Sequence, residues 1–139
     1  MPGVAEVFSA SRRQALPWLP TLHTPEEDIA YFVNVVFPQN DVRIARESDS
    51  EQIVGFIAFT SDWVNHLYLL PEVQRRDIGS RLLALAQEPA RTLDLWTFQK
   101  NLNAQRFYER HGFRVVRKTD GSDNEEREPD VLLRWSRLD

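Results

Sequence analysis

At 139 residues the chain has the length of one domain with a single packed core, and 42% hydrophobic residues suffice to build it. A net charge of −4 without a basic tract argues against general nucleic-acid binding; the absence of cysteine excludes disulfides, thiolate metal sites and a cysteine nucleophile. Apolar runs such as Ile53 to Phe59 fall far short of the ~20 residues a membrane span needs, and no basic-then-apolar leader opens the chain, so the expectation is a cytoplasmic protein without a membrane partner.

Val4 to Leu16 reads as a helix from its Ala, Leu, Phe and Arg content, stopped by Pro17. Pro17-Trp18-Leu19-Pro20 is a stiff connector. Thr24-Pro25-Glu26-Glu27 has the pattern of a helix start, with Thr24 as N-cap, Pro25 in the first turn and Glu27 closing a capping box. That helix is expected to run to about Val36, burying Ile29, Phe32, Val33 and Val36. Val42 to Glu47 and Gln52 to Thr60 read as an antiparallel hairpin turning at Ser48-Asp49-Ser50.

From Asp62 the chain becomes apolar on both faces up to Leu70, the pattern of a buried central strand, which Pro71 closes. Gln74-Arg75-Arg76-Asp77-Ile78-Gly79-Ser80 follows, leading into a helix with Ile78, Leu82, Leu83, Leu85 and Ala86 on its apolar positions. A helix that begins on Arg and Gly just past a buried strand presents free backbone N–H groups and positive charge, which suit a phosphate. Thr92 to Phe98 is the next strand, parallel to its predecessor because a helix crosses between them. Leu102 to Arg110 is a short helix with Gly112 as left-handed cap, and Phe113 to Lys118 and Val131 to Trp135 are the closing strands. Between those strands, Asp120 to Asp130 carries six acidic side chains against Arg127 alone.

The stretch from Gln74 to Ser80 resembles motif A of the GNAT N-acetyltransferase superfamily, Gln/Arg-x-x-Gly-x-Gly/Ala. Gln74 and Gly79 match, whereas Asp77 stands where the family has its first glycine. A second stretch, Asn101-x-x-Ala104-x-x-Phe107-Tyr108-Glu109-x-x-Gly112-Phe113, resembles the family's motif B at the expected distance. The resemblance implies a single α/β domain over residues 1–139, a mixed sheet flanked by helices. Family members place a strand ahead of the first helix; here only three residues precede it, so the first strand is expected to be missing. The exposed edge would then suit a second subunit, making a homodimer.

The resemblance further implies an enzyme that uses acetyl-CoA to acetylate a primary amine, on a small molecule or a peptide, by direct attack and without a metal. Leu67, Tyr68 and Leu69 would pair with pantetheine through their main chain. Gln74, Arg75, Arg76, Asp77, Ile78, Gly79 and Ser80 would hold the diphosphate, and Asn101 would reach the cofactor. Tyr108 would be the general acid toward the leaving thiolate. The strand position that carries a glutamate base in several members is Trp96 here, which leaves His66 as candidate base, with Glu126, Glu128 and Asp130 as alternatives. Glu126 and Asp130 in the acidic loop, together with His23, would attract a cationic acceptor. Asp77 and Trp96 also suit a second reading, a catalytically weak, cofactor-binding regulatory domain of the same fold. A carboxylate ~5 Å from a phosphate costs roughly 3 kcal/mol at an effective dielectric near 20, before solvent screens it.

Overall fold

The computed structural model describes residues 2–15, 23–73 and 77–137. Helix α1 (Pro2–Ala15) buries Val4, Val7 and Ser11 along one stripe, and Ser11 spends its hydroxyl by donating to the Leu69 carbonyl. The connector expected at residues 17–20 lies outside the described residues.

Helix α2 (Pro25–Tyr31) starts as its sequence dictates. Thr24 Oγ1 accepts from the Glu27 N–H at 3.1 Å, and the Thr24 N–H donates back to Glu27 Oε1 at 2.8 Å. The helix does not stop at Val36. A π turn (Phe32–Val36) and a short α3 (Phe37–Gln39) carry it further. Pro38 supplies the reason: it has no N–H for the Asn34 carbonyl, and its ring would press on that group. In the wider turn the Phe37 N–H reaches the Phe32 carbonyl instead. Asn40 then takes over the helix end, donating Nδ2 to the Val36 carbonyl at 2.9 Å.

Strands β1 (Asp41–Arg46), β2 (Ile53–Phe59) and β3 (Val64–Leu69) form an antiparallel sheet in that order. Helix α4 (Ile78–Gln87) crosses over to β4 (Thr92–Phe98), which is followed by α5 (Leu102–Arg110), β5 (Arg114–Lys118) and β6 (Asp130–Ser136). The second sheet is antiparallel too, in the order β4-β6-β5. Among the described residues one parallel bridge joins the sheets, Trp63 with Asp94, where the Asp94 N–H donates to the Asp62 carbonyl at 2.9 Å. The parallel relation of β3 and β4 is therefore present only at their first residues. Beyond the bridge they part, so β3 lines a gap rather than the middle of a continuous sheet.

Both faces of β3 are apolar because both are covered. Leu67 and Leu69 pack into a core built from α4, α5 and the second sheet, around Leu83, Leu93, Leu95, Phe113 and Leu133. Tyr68 and Leu70 join the other core, where α1 and the π turn lay Val4, Val7, Phe32 and Val36 on Phe56 and Ala58. No described strand pairs with the outer side of β1. No described helix is long and apolar enough to cross a membrane.

Candidate active site

The gap between β3 and β4 is lined first by main chain. The Leu70 N–H bonds the Val54 carbonyl at 2.8 Å, and antiparallel pairing alternates from there. His66 and Tyr68 face Ala58 and Phe56 of β2 with their N–H and C=O groups, while those of Leu67 turn the other way, toward β4; the Leu69 carbonyl accepts from Ser11 of α1. Of the three residues expected to pair with pantetheine, Tyr68 is thus the spacer: its own main chain is spent on β2.

At the end of β3 stands the N-terminus of α4. The first bond within this helix runs from the Arg81 N–H to the Asp77 carbonyl at 3.2 Å, so the N–H groups of Ile78, Gly79 and Ser80 have no helical acceptor. Asp77 occupies the N-cap position with φ 64° and ψ 8°, the left-handed region that explains the family's glycine there. Its carboxylate makes no capping hydrogen bond. Gly79 is buried, and a Cβ on it would stand 3.2 Å from Leu69 Cδ1 and 3.4 Å from the Phe107 ring. A side chain there would need the Leu69 methyl to give by a few tenths of an ångström, so α4 starts in close contact with β3 and α5. Gln74, Arg75 and Arg76 lie outside the described residues.

An extended chain ending in a diphosphate fits these features. The outward main chain of Leu67 lines a strand gap, and the first N–H groups of a ten-residue helix, which have no helical acceptor, stand at its end. Ile78, Gly79 and Ser80 would hold the diphosphate of acetyl-CoA, and the Leu67 main chain its pantetheine.

Helix α5 carries the motif B residues. Asn101 is its N-cap, Oδ1 accepting from the Ala104 N–H at 3.2 Å, so the side chain that would reach the cofactor also begins the helix. Tyr108 is 8% exposed, packed edge-on to Phe107 and Phe113 at 5.2 and 5.3 Å between ring centres. Burial raises its pKa far above that of a free phenol, and the neighbouring Tyr68 raises it further. Tyr108 is therefore protonated at any physiological pH. One turn on, His111 Nδ1 lies 2.8 Å from the Phe107 carbonyl and Nε2 lies 2.9 Å from Ser80 Oγ, which joins α5 to the first turn of α4.

His66 does not sit as a base would. Phe8, Tyr31, Phe32, Phe56 and Tyr68 surround its ring at 5.4 to 6.4 Å between centres. Its Nδ1 is buried without a partner. Burial, and secondarily the Arg12 charge, push its pKa down to about 4. A group that binds a proton so weakly is a poor acceptor from an amine, so the base role is replaced by that of a neutral ring inside an aromatic cluster.

The acidic loop folds over the splayed end of β4. Trp96, Thr97, Phe98, Arg117, Thr119, Asp123, Asn124, Glu126 and Asp130 line a cavity of about 430 Å³, with Trp96 44% exposed. Asp130 is held by the Thr119 hydroxyl and by Asn124 Nδ2 at 3.2 Å. Glu126 Oε2 pairs with Arg12 of α1 at 3.2 Å, and His23 Nε2 pairs with Glu125. These two contacts tie the loop of the second sheet to α1 and to the chain just before α2. Trp96, which cannot be the base, instead floors the cavity. Arg12 and His111 were missed from sequence, since their partners lie 114 and 31 residues away. A basic residue opposite an acidic run and a histidine within motif B were the available signals.

The family model of the acetyltransferase (GNAT) domain matches residues 38–115. The chain belongs to the GNAT acetyltransferase family and is an acetyltransferase. An uncharacterized N-acetyltransferase of Archaeoglobus fulgidus is 29% identical over 103 residues, 62% of this chain and 69% of that protein. The fold resembles apo YjaB of Escherichia coli with a TM-score of 0.76, at 21% identity over 95% of this chain and 88% of that one. It also resembles the PaiA N-acetyltransferase of Thermoplasma acidophilum, solved with coenzyme A, with a TM-score of 0.64 at 21% identity over 95% and 89%.

Proposed function

We propose that the protein transfers the acetyl group of acetyl-CoA to a primary amine by direct attack, the amine entering through the cavity on Trp96 and Phe98. The observation that carries this reading is the parting of β3 and β4 beyond the Trp63–Asp94 bridge, with α4's open N-terminus at the end of the gap. Acetyl-CoA supplies a thioester whose carbonyl is open to attack and whose thiolate leaves.

The chain's residues divide the remaining work. Leu67 orients the thioester arm along β3, and Ile78, Gly79 and Ser80 anchor its far end, which lowers the entropic cost of the encounter. Tyr108 holds its proton until a thiolate forms within hydrogen-bond reach and then donates it. Asp123, Glu126 and Asp130 outnumber Arg117 around the cavity and favour a cationic acceptor, with the exposed face of Trp96 adding cation–π attraction. His23, beside Glu125, belongs to the rim of this entrance.

The test is release of coenzyme A thiol across a panel of diamines, aminosugars, amino acids and peptides. Turnover confined to acceptors with net positive charge supports the reading. Equal turnover of neutral and cationic amines removes the role given to the loop, and coenzyme release with no amine acetylated removes the reaction.

A further inference from the structure

The contact between Ser80 and His111 constrains the direction of its own hydrogen bonds. The Phe107 carbonyl can only accept, so the His111 Nδ1 that faces it at 2.8 Å carries a hydrogen in every protonation state. In the neutral ring Nε2 is then a bare acceptor, and the Ser80 hydroxyl donates its one proton to it across 2.9 Å. In the imidazolium Nε2 carries a hydrogen, Ser80 Oγ accepts it, and the hydroxyl proton turns elsewhere. Ser80 is the third residue of α4, beside the N–H groups that lack a helical acceptor.

We propose that His111 is a positioning residue for the cofactor's diphosphate: protonated, it converts the Ser80 hydroxyl into a phosphate donor and stands as a cation behind the first turn of α4. This rests on the reading that α4's N-terminus receives the diphosphate. Binding then takes up a proton from solvent onto Nε2, so affinity rises as pH falls. Charged side chains on the elements around His111 are Asp77 and Arg81 of α4, Arg106, Glu109 and Arg110 of α5, and Arg137 after β6. All are exposed and none bonds the ring. The Phe107 ring covers it at 4.5 Å, and Gln87 holds only its main-chain carbonyl, at 3.1 Å.

Calorimetric titration with dephospho-coenzyme A tests this, because that probe keeps the diphosphate and lacks the phosphate monoester, which itself titrates near pH 6. Expected for the native protein is binding ~3- to 10-fold tighter at pH 6 than at pH 8, with proton uptake visible as a buffer-dependent heat. His111→Gln, a neutral side chain able to donate and accept, should bind at both pH values as the native protein does at pH 8. Ser80→Ala, which keeps the His111 ring and removes the hydroxyl, should lose most of the same slope. Pantetheine, which has no diphosphate, should show no slope with any variant. A native affinity that does not change with pH, or a slope that survives in His111→Gln, overturns the proposal and leaves the diphosphate site standing. Failure of the probe to bind at either pH overturns that site and the proposal together.

Discussion

Tyr108 of α5 and Tyr68 of β3 pack into different core layers, and burial first, then the Tyr68 phenol, raises the Tyr108 pKa. Tyr108→Phe keeps the packing and removes the proton. The expected result is a fall in kcat of about 10²- to 10⁴-fold, with the KM for acetyl-CoA nearly unchanged. Because burial keeps the phenol protonated, native activity should show no alkaline loss attributable to Tyr108 up to pH 10. Steady-state kinetics of both proteins over pH 6 to 10 checks both statements, and an alkaline limb that disappears in Tyr108→Phe would contradict the assignment.

His66 makes a stability prediction. Its pKa falls from 6.5 to about 4 on folding, so the unfolded chain binds a proton more readily than the folded one between those values. The stability it contributes is complete above pH 6.5 and is lost as pH falls toward 4. The size is at most about 3 kcal/mol, from 1.36 kcal/mol per pH unit. His66→Phe, which puts a sixth aromatic ring among the five, should remove most of this acid sensitivity. Urea unfolding at pH 4.5 and 7.0 measures it: the gap between the two pH values should shrink in the variant. An unchanged gap would assign the sensitivity to the carboxylates instead.

Most of this architecture was legible because local rules and long-range packing agree in it. The Thr24–Glu27 box, the Pro71 strand end, the Asn101 cap and Gly112 at φ 91° all stand where composition puts them. The two motifs fall on the first turns of α4 and α5, beside the gap that β3 and β4 leave between them. Where reading failed, the deciding partner was distant or absent from any local pattern. Pro38 signals a helix end, but its effect was to widen a turn and let the helix continue. His66 looked like a titrating base until Phe8 and Phe32 arrived from two other helices to bury it. Trp96 seemed a lost carboxylate, and only the fold of the acidic loop shows it as the floor of a cavity.

Asp77 adopts a left-handed backbone that costs a non-glycine residue roughly 1 kcal/mol. Asp77→Gly relieves that strain and removes a carboxylate from the diphosphate's approach. The expected effects are a gain in stability of up to about 1 kcal/mol, partly offset by the freer unfolded chain, and acetyl-CoA affinity tighter by severalfold. Asp77→Asn tolerates the same backbone and separates charge from strain: it should recover most of the affinity and little of the stability. Calorimetric titration and thermal melting of both variants decide it. Weaker binding by the glycine variant would mean that the carboxylate helps to hold the loop.

The loop over the cavity is closed at Gly121, and it is there that acceptor recognition should be most sensitive. Gly121 has φ 84°, and a Cβ on it would fall 2.3 Å from the Glu128 carbonyl carbon, main chain that cannot swing aside. Asn124 fixes the same crossing from the other side, with Nδ2 on the Glu128 carbonyl at 2.7 Å and Oδ1 accepting the Glu128 N–H at 3.2 Å. Gly121→Ala must therefore reopen the loop, moving Glu126 away from Arg12 and Asp130 away from Thr119. The KM for a cationic acceptor should rise 10-fold or more, while acetyl-CoA affinity, set on α4, should hold within about 2-fold. Arg12→Met offers the milder version: it frees Glu126 without forcing the main chain, so the acceptor KM should change less than in Gly121→Ala. A parallel rise in the KM for both substrates would show that the loop supports the whole gap rather than the acceptor entrance alone.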